Sequence, residues 1–276
     1  MRFSKGHGTE NDFVLIADPE NALALTDAQV SALCDRRAGI GADGVLRVVR
    51  AAAFFGDPAY ADDAEWFMDY RNADGSVAEM CGNGVRVFAA YLVQEGLASA
   101  GRIPIATRAG VKTVTTLGGD TYSVDMGKPV LPGFPPVKVS VGNRSWTATS
   151  IDMGNPHVVV EVNHLAEAGP LYEMPTVSPH GAFPHGTNVE FVLSVNDARI
   201  EMRVFERGVG ETRSCGTGAC AAAVAAAVWA GNEEDATYEV GVPGGTLEVT
   251  WSASGVTLTG PAVITFSGET ALAEEV

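Results

Sequence analysis

Alternating and β-branched runs recur along the chain at Asp12–Ala17, Val45–Val49, Thr187–Leu193, Ile200–Phe205 and Leu247–Trp251. Successive side chains of a strand point to opposite faces, so these runs predict strands, and predicted strands outnumber helices. Three stretches have helical character instead. Thr26 stands in a capping position ahead of Asp27–Arg36, a helix start signal. Val85–Val93 and Ala219–Ala230 are apolar with almost no polar face, and a helix that is apolar nearly all round is buried all round. The pattern predicts an α+β protein with a few helices among many strands.

The two apolar helices follow the same kind of corner. Residues 80–85 read Met-Cys-Gly-Asn-Gly-Val and residues 214–219 read Ser-Cys-Gly-Thr-Gly-Ala. The correspondence extends outward, because Asn72 stands nine residues before Cys81 and Glu206 nine before Cys215, each in a strand-like stretch. Asn11 and Asn155 likewise open related segments. An internal repeat on this scale predicts two copies of one lobe. Glycine and prolines interrupt the pattern near Gly127, at Pro129, Pro132, Pro135 and Pro136, which puts the boundary there. The expected organisation is an N-terminal lobe of residues 1–127, completed by a C-terminal strand at about 262–276, and a second lobe of residues 128–261.

Composition narrows the function. The chain has 276 residues, 46% hydrophobic and 19% charged, enough for roughly two domains with real cores. Eighteen Lys and Arg against 34 Asp and Glu leave a net charge of −16, which repels nucleic acid and anionic lipid surfaces. Residues 1–13 lack the apolar core of a signal peptide, and the longest apolar run, Gly218–Gly231, is short of the ~20 residues of a membrane span. A soluble cytoplasmic protein is expected. The four cysteines form no C-x-x-C cluster, so neither a zinc site nor a secreted disulfide scaffold is indicated.

The chemistry concentrates at the cysteine corners. The first amides of a helix have no intrahelical partner and its N-terminus carries about half a positive charge, so glycines there let a carboxylate reach the bare N–H groups. The same field favours a thiolate, whereas apolar burial opposes it. Two such corners on two related lobes, meeting across one cleft, would bind one carboxylate between two helix ends with a thiol on either side of the adjacent carbon. That is a two-base racemase: one cysteine removes the α-proton as thiolate, the other returns a proton to the opposite face. A positioned base contributes only ~10² to 10⁴ in rate, so donors at Gly82, Asn83, Gly84, Gly216, Thr217 and Gly218 form the second half of the catalyst. No cofactor is required, and none of the four lysines (Lys5, Lys112, Lys128, Lys138) has the context of a Schiff base.

Other features carry less. Residues 39–44 spell Gly-Ile-Gly-Ala-Asp-Gly, the letters of a dinucleotide fingerprint, but here a helix precedes and a strand follows, the reverse of what the fingerprint needs. A tight turn entering a strand is expected. Cys34 and Cys220 fall inside predicted helices as small apolar residues. His180 and His185 lie in a proline-broken loop without metal-ligating neighbours. His157 and the pair Glu206 and Arg207 lie at strand boundaries, where a mixed sheet places functional side chains.

Taken together, residues 5–13, 72–76, 80–84, 154–157, 186–190, 206–212 and 214–219 resemble the diaminopimelate epimerase family, in the family's motif order and over nearly the whole chain. The cysteine corners by themselves also fit proline racemases. The resemblance implies two similar lobes, each a mixed, largely antiparallel sheet curled around a central helix. It implies cofactor-independent interconversion of LL- and meso-2,6-diaminopimelate, on the route to lysine and peptidoglycan, by a homodimer. By motif position Cys81 and Cys215 are the acid/base thiols, with His157 and Glu206 beside them. Gly82, Asn83, Gly216 and Thr217 take the reacting carboxylate, Asn11 lies at the reacting end, and Asn72, Asn155, Asn188 and Arg207 hold the distal amino acid end. A guanidinium is a natural partner for a second carboxylate and asparagines suit an ammonium and carboxylate together, whereas proline has no distal end to hold. Many members carry glutamine where this chain has Gly44, so water or Asp43 has to stand in. The alternatives are a racemase for proline or hydroxyproline, an amino acid binding module, and a thiol redox sensor in which Cys81 and Cys215 join.

Overall fold

The computed structural model describes residues 1–132, 136–232 and 235–271. Pro135 of the boundary cluster and residues 272–276 of the expected last strand lie outside the described residues. The chain divides into two compact units, Met1–Val124 with Gly260–Val276, and Asp125–Thr259.

The first unit opens with β1 (Arg2–Gly8) and β2 (Asn11–Ala17), an antiparallel pair. Helix α1 (Asp27–Cys34) leads to β3 (Gly44–Arg50), which runs parallel to β2. After the short helices α2 (Ala51–Phe55) and α3 (Tyr60–Asp63), β4 (Trp66–Asn72) lies antiparallel to β3. Helix α4 (Gly82–Gln94) then crosses over to β5 (Arg102–Thr107), parallel to β4, and β6 (Gly110–Gly118) and β7 (Thr121–Gly127) follow as an antiparallel meander. Parallel neighbours need a crossover of a dozen or more residues, and α4 is such a crossover. Residues 82–92 of α4 are buried, and the helix packs on β1, β2, β3, β5 and β6. The sheet therefore curls around it. Burying side chains such as Val85, Phe88 and Leu92 is worth roughly 1.5–3 kcal/mol each.

Helix α1 starts where its capping box predicts, with the Thr26 hydroxyl accepting from Gln29 N at 3.2 Å and Gln29 Oε1 accepting from Thr26 N at 2.9 Å. It stops at Cys34 rather than Arg36. Asp35 leaves the helical region, and its carboxylate accepts from the amides of Arg37 and Ala38 at 2.7 and 2.6 Å. That local turn competes with the helix ladder.

The second unit repeats the plan. Strands β8 (Val137–Val141) and β9 (Arg144–Asp152) are antiparallel, as are β9 and β10 (Pro156–Glu161). The short β11 (Thr176–Ser178) pairs with β8, and β12 (Asn188–Asn196) is parallel to β10. Strand β13 (Arg199–Glu206) is antiparallel to β12, with the small strand β14 (Gly210–Thr212) on its end. Helix α5 (Gly216–Trp229) crosses to β15 (Ala236–Val242), parallel to β13, and β16 (Gly245–Ser252) and β17 (Gly255–Pro261) complete the meander. Helix α5 is buried on nearly every side and packs on β9, β10, β12, β13, β15 and β16. The sequence of parallel and antiparallel pairs from β9 to β17 thus matches that from β1 to β7. Strand β18 (Val263–Glu269) returns to pair antiparallel with β1, from His7 opposite Val263 to Arg2 opposite Glu269. It occupies the place in the first unit that β8 holds in the second. The architecture is a mixed, strand-dominated α+β fold.

Candidate active site

In the first unit the named residues gather at one end of β2, β3 and β4, around the start of α4. Asn11 opens β2, Gly44 opens β3, and Asn72 closes β4 opposite Gly44 in the ladder. Cys81 is the N-cap of α4: its backbone is extended (φ −137°, ψ 123°), and its sulfur accepts from Gly84 N at 3.4 Å. A thiol here fills the role usually given to a serine or aspartate oxygen. The first intrahelical bond is Val85 N to Cys81 O at 2.8 Å, so the amides of Gly82 and Asn83 precede the ladder.

Asn11 sets the surroundings of this thiol. Its Oδ1 accepts from the Cys81 sulfhydryl at 3.5 Å and from Asn83 Nδ2 at 3.2 Å, while its Nδ2 donates to Asp43 Oδ2 at 2.7 Å. Asp43 is held in turn by Arg36, which also binds Asp12 with two nitrogens, and Lys5 donates to Asp12 at 2.6 Å. These two cations hold the Asp12 carboxyl down at about 2 against the burial that opposes them. Asn72 bonds within its own turn, donating from Nδ2 to Ser76 Oγ at 3.0 Å.

Asp43 therefore stands beside Asn11, one residue before Gly44. A side chain at position 44 would require its neighbours to shift, because a Cβ there would come 2.5 Å from the carbonyl oxygen of Arg71 and 2.7 Å from the Tyr70 ring. Residues 39–43 connect α1 to β3, which Gly44 opens. Burial pushes the Cys34 thiol up to about 11, and Cys220 is fully buried in α5. His180 and His185 are exposed.

The second unit builds its corner from the equivalent elements. Cys215 is the N-cap of α5 with nearly the same backbone (φ −123°, ψ 117°), and its sulfur accepts from Gly218 N at 3.3 Å. Thr217 Oγ1 lies 3.5 Å from the sulfur, and the ladder begins with Ala219 N to Cys215 O at 2.9 Å. The partners differ from those of Cys81. Glu206, the last residue of β13, accepts from the Thr212 hydroxyl, and its charge acts on the Cys215 thiol. Burial, then the charges of Glu206 and Glu190, push the Cys215 thiol well above its ordinary value. Burial also raises the carboxyls of Glu206 and Glu190.

His157, wholly buried in β10, lies opposite Asn188 in the parallel ladder. Its Nδ1 is 2.6 Å from Glu190 Oε1 and its Nε2 is 3.1 Å from Asn155 Oδ1. Asn188 is buried and accepts from Arg207 N at 2.9 Å, while the exposed Arg207 guanidinium donates to His185 O at 3.0 Å. Each unit thus gathers its own share of the residues named from sequence: Asn11, Cys81, Gly82 and Asn83 at one corner with Asn72 at the adjoining strand end, and Asn155, His157, Asn188, Glu206, Arg207, Cys215, Gly216 and Thr217 in the other.

Sequence reading gave no role to Glu190, Thr212 or Arg36, and it gave Gly218 only that of a backbone donor. For Glu190 a signal existed, a carboxylate between Val189 and Phe191 in an otherwise apolar strand. For Gly218 the signal is spatial, since a Cβ there would come 2.9 Å from Glu190 Oε1.

The comparisons agree with one another. The sequence profile of the diaminopimelate epimerase family matches residues 3–132 and 149–265. The chain is 56% identical to a diaminopimelate epimerase of Streptomyces coelicolor over 98% of this chain and 95% of that protein. It is 50% identical to one from Corynebacterium glutamicum over 97% of both. Among solved structures, a probable proline racemase from Agrobacterium radiobacter matches with TM-score 0.68 at 16% identity, over 98% of this chain and 93% of that one. A PhzF-family phenazine biosynthesis protein from Bacillus anthracis matches with TM-score 0.65 at 16% identity, over 98% of both. At such identities these structures show a shared fold, whereas the near full-length relatives at half identity or more settle the kinship: the chain belongs to the diaminopimelate epimerase family.

Proposed function

We propose that this protein is an isomerase that inverts one α-carbon of 2,6-diaminopimelate, interconverting the LL and meso forms for lysine and peptidoglycan precursor synthesis, with Cys81 and Cys215 as its acid and base. The observation that carries this reading is the pair of thiols that cap two equivalent buried helices, in a chain of this family. The substrate is a small molecule with an amino acid group at each end.

The residues have the following parts. The reacting carboxylate meets the leading amides of both helices, at Gly82 and Asn83 and at Gly216 and Thr217, where the N-terminal partial charges favour an anion. One thiolate takes the α-hydrogen as a proton, and the C–H electron pair moves into the carboxylate to give an ene-diolate. The opposite thiol then delivers its proton to the other face, and the electron pair returns to carbon. The helix amides oppose the charge that builds on the carboxylate oxygens, the kind of preorganised donor worth ~10² to 10³ in rate. Cys215 enters the cycle carrying its proton, since burial and the two nearby carboxylates disfavour its thiolate. The charge of Glu206 acts on that thiol, and His157 bonds Glu190 and Asn155 in the same unit. Asn11 orients Cys81, and Asn72, Asn155, Asn188 and Arg207 hold the distal ammonium and carboxylate.

Inversion requires both thiols at one α-carbon, on opposite faces. Proton NMR of the reduced protein with LL-diaminopimelate in D₂O tests this directly. The α-hydrogen signal should vanish as the meso isomer forms, and epimerisation should be lost in Cys81→Ala and in Cys215→Ala. Saturable binding without α-hydrogen exchange would mean a binding module, and exchange with proline or hydroxyproline alone would mean a different racemase. Among the described residues, no helix is long and apolar enough to cross a membrane. A homodimer belongs to the same proposal and is read by sedimentation velocity.

A further inference from the structure

Glu190 is the buried acid that the two-thiol reading, on which this inference rests, leaves without a part. It is the third residue of β12, fully buried between the neighbouring apolar side chains. Its Oε1 lies 2.6 Å from His157 Nδ1, and the same oxygen packs against the first turn of α5, where a side chain at position 218 would crowd it. Its second oxygen, Oε2, is buried with no hydrogen-bond partner. Buried polar atoms are almost always satisfied, so this exception calls for a cause.

Counting protons supplies one. On the far side of the imidazole, Nε2 lies 3.1 Å from Asn155 Oδ1, an atom that can only accept, so Nε2 carries hydrogen. A neutral ring with its hydrogen on Nε2 has a lone pair at Nδ1. That lone pair cannot meet a carboxylate lone pair at 2.6 Å. One proton therefore sits in the contact between His157 and Glu190, on nitrogen or on oxygen, and the pair is neutral either way. This also explains the bare Oε2, because an ionised carboxylate with an unpartnered buried oxygen is far more costly than one that shares a proton. Burial raises the Glu190 carboxyl, in the direction that retains the proton. The other titratable groups facing the pair are Glu206 from β13 and Cys215 from the start of α5.

We propose that Glu190 is a positioning residue that shares one buried proton with His157, locking the ring as an Nε2–H donor to Asn155 and leaving Asn155 Nδ2 free to donate to a substrate carboxylate. Without the lock, the neutral ring can move its hydrogen to Nδ1. Nε2 then accepts, Asn155 turns its nitrogen inward, and it presents an oxygen to the substrate.

Two variants separate this role from a packing role. Glu190→Met fits the apolar surroundings and removes the proton partner. Glu190→Gln resembles the protonated acid, because its amide can donate to Nδ1. In ¹⁵N-histidine NMR of the substrate-free wild type, with His157 assigned by its loss in His157→Gln, Nε2 should carry hydrogen, with one far-downfield shared proton. Glu190→Met should lose that proton and shift the ring toward the Nδ1–H form. Its KM for diaminopimelate should rise about tenfold, the worth of one substrate hydrogen bond, with a smaller change in kcat. Glu190→Gln should keep the Nε2–H form and a KM within about threefold of wild type. A wild-type ring protonated at Nδ1 alone, or a folded Glu190→Met with unchanged tautomer and KM, would overturn the proposal. Should Glu190→Met fail to fold, the wild-type spectrum decides. The spectra need no substrate, so a protein inactive on diaminopimelate would refute the functional reading and leave this one standing on its own result.

Discussion

The two cysteine corners share a backbone and a helix amide on the sulfur, and differ in the side chains around it. Both thiols cap a buried crossover helix, with extended N-cap backbones and a third-residue amide donating to sulfur at 3.4 and 3.3 Å. Cys81 is half-buried, and the oxygen that accepts from it belongs to an amide, Asn11. Cys215 is buried beside two carboxylates, Glu206 and Glu190. The helix end offers the same pull on a thiolate in both units, so the side chains on neighbouring strands decide how far each thiol resists ionisation.

The strongest test of the comparison removes either sulfur. Cys81→Ser and Cys215→Ser keep a competent cap, so both variants should fold, yet epimerisation should drop by at least about a hundredfold in each, because a hydroxyl is a poor base at neutral pH. A single variant retaining wild-type epimerisation would break the two-base equivalence. Next in size is the asymmetry of the third helical residue. Gly218→Ala drives a methyl to 2.9 Å from Glu190 Oε1, whereas Gly84→Ala meets its nearest neighbours at 3.3 and 3.4 Å. Urea unfolding should show a loss of roughly 1–3 kcal/mol for Gly218→Ala and less than about 1 kcal/mol for Gly84→Ala.

Acid should act on the two corners with opposite sign. The Asp12 carboxyl is held at about 2, below its ordinary 3.8, so its contribution is complete above the unfolded value and is lost as pH falls toward 2. Screened by solvent, that contribution is roughly 1 kcal/mol. Asp12→Asn should lose about that much stability at pH 7 and show a flatter decline between pH 4 and 2. Glu206 is raised instead, so protonating it on acidification favours the folded state, and its contribution is lost as pH rises through its folded value. Glu206→Gln should therefore remove a penalty at neutral pH. The smallest expected effect is kinetic: that variant should speed alkylation of Cys215 by iodoacetamide at pH 8 about threefold or more, since one negative charge no longer opposes the thiolate. Peptide mapping reads it site by site, and Cys81 should not change.

Local pattern made much of this legible. The apolar periodicity marked α4 and α5, the repeated Cys-Gly-x-Gly marked their starts, and the Thr26 box marked α1. The end of α1 was not readable, because it depends on whether Asp35 bonds the next turn or lets the helix continue. Asp43 lies in a segment read as a turn, and its bond to Asn11 at 2.7 Å spans 32 residues. Gly44 shows the limit clearly: a side chain there would crowd the Arg71 carbonyl on the next strand. Glu190 was visible as an odd carboxylate in an apolar strand, but its partner His157 is 33 residues away.

By itself the sequence determined the strand and helix content, the internal repeat and the kinship, and it named the residues proposed to carry the chemistry, because periodicity, capping and glycine corners are short-range properties of the chain. The tertiary structure alone decided which strand ends bring Asn11 to Cys81 and Glu206 near Cys215, why side chains at Gly44 and Gly218 would crowd their neighbours, and that His157 and Glu190 meet in a buried contact. Those outcomes rest on burial and on contacts between strands far apart in sequence, where a few tenths of an ångström and the loss of water set both the sterics and the charge.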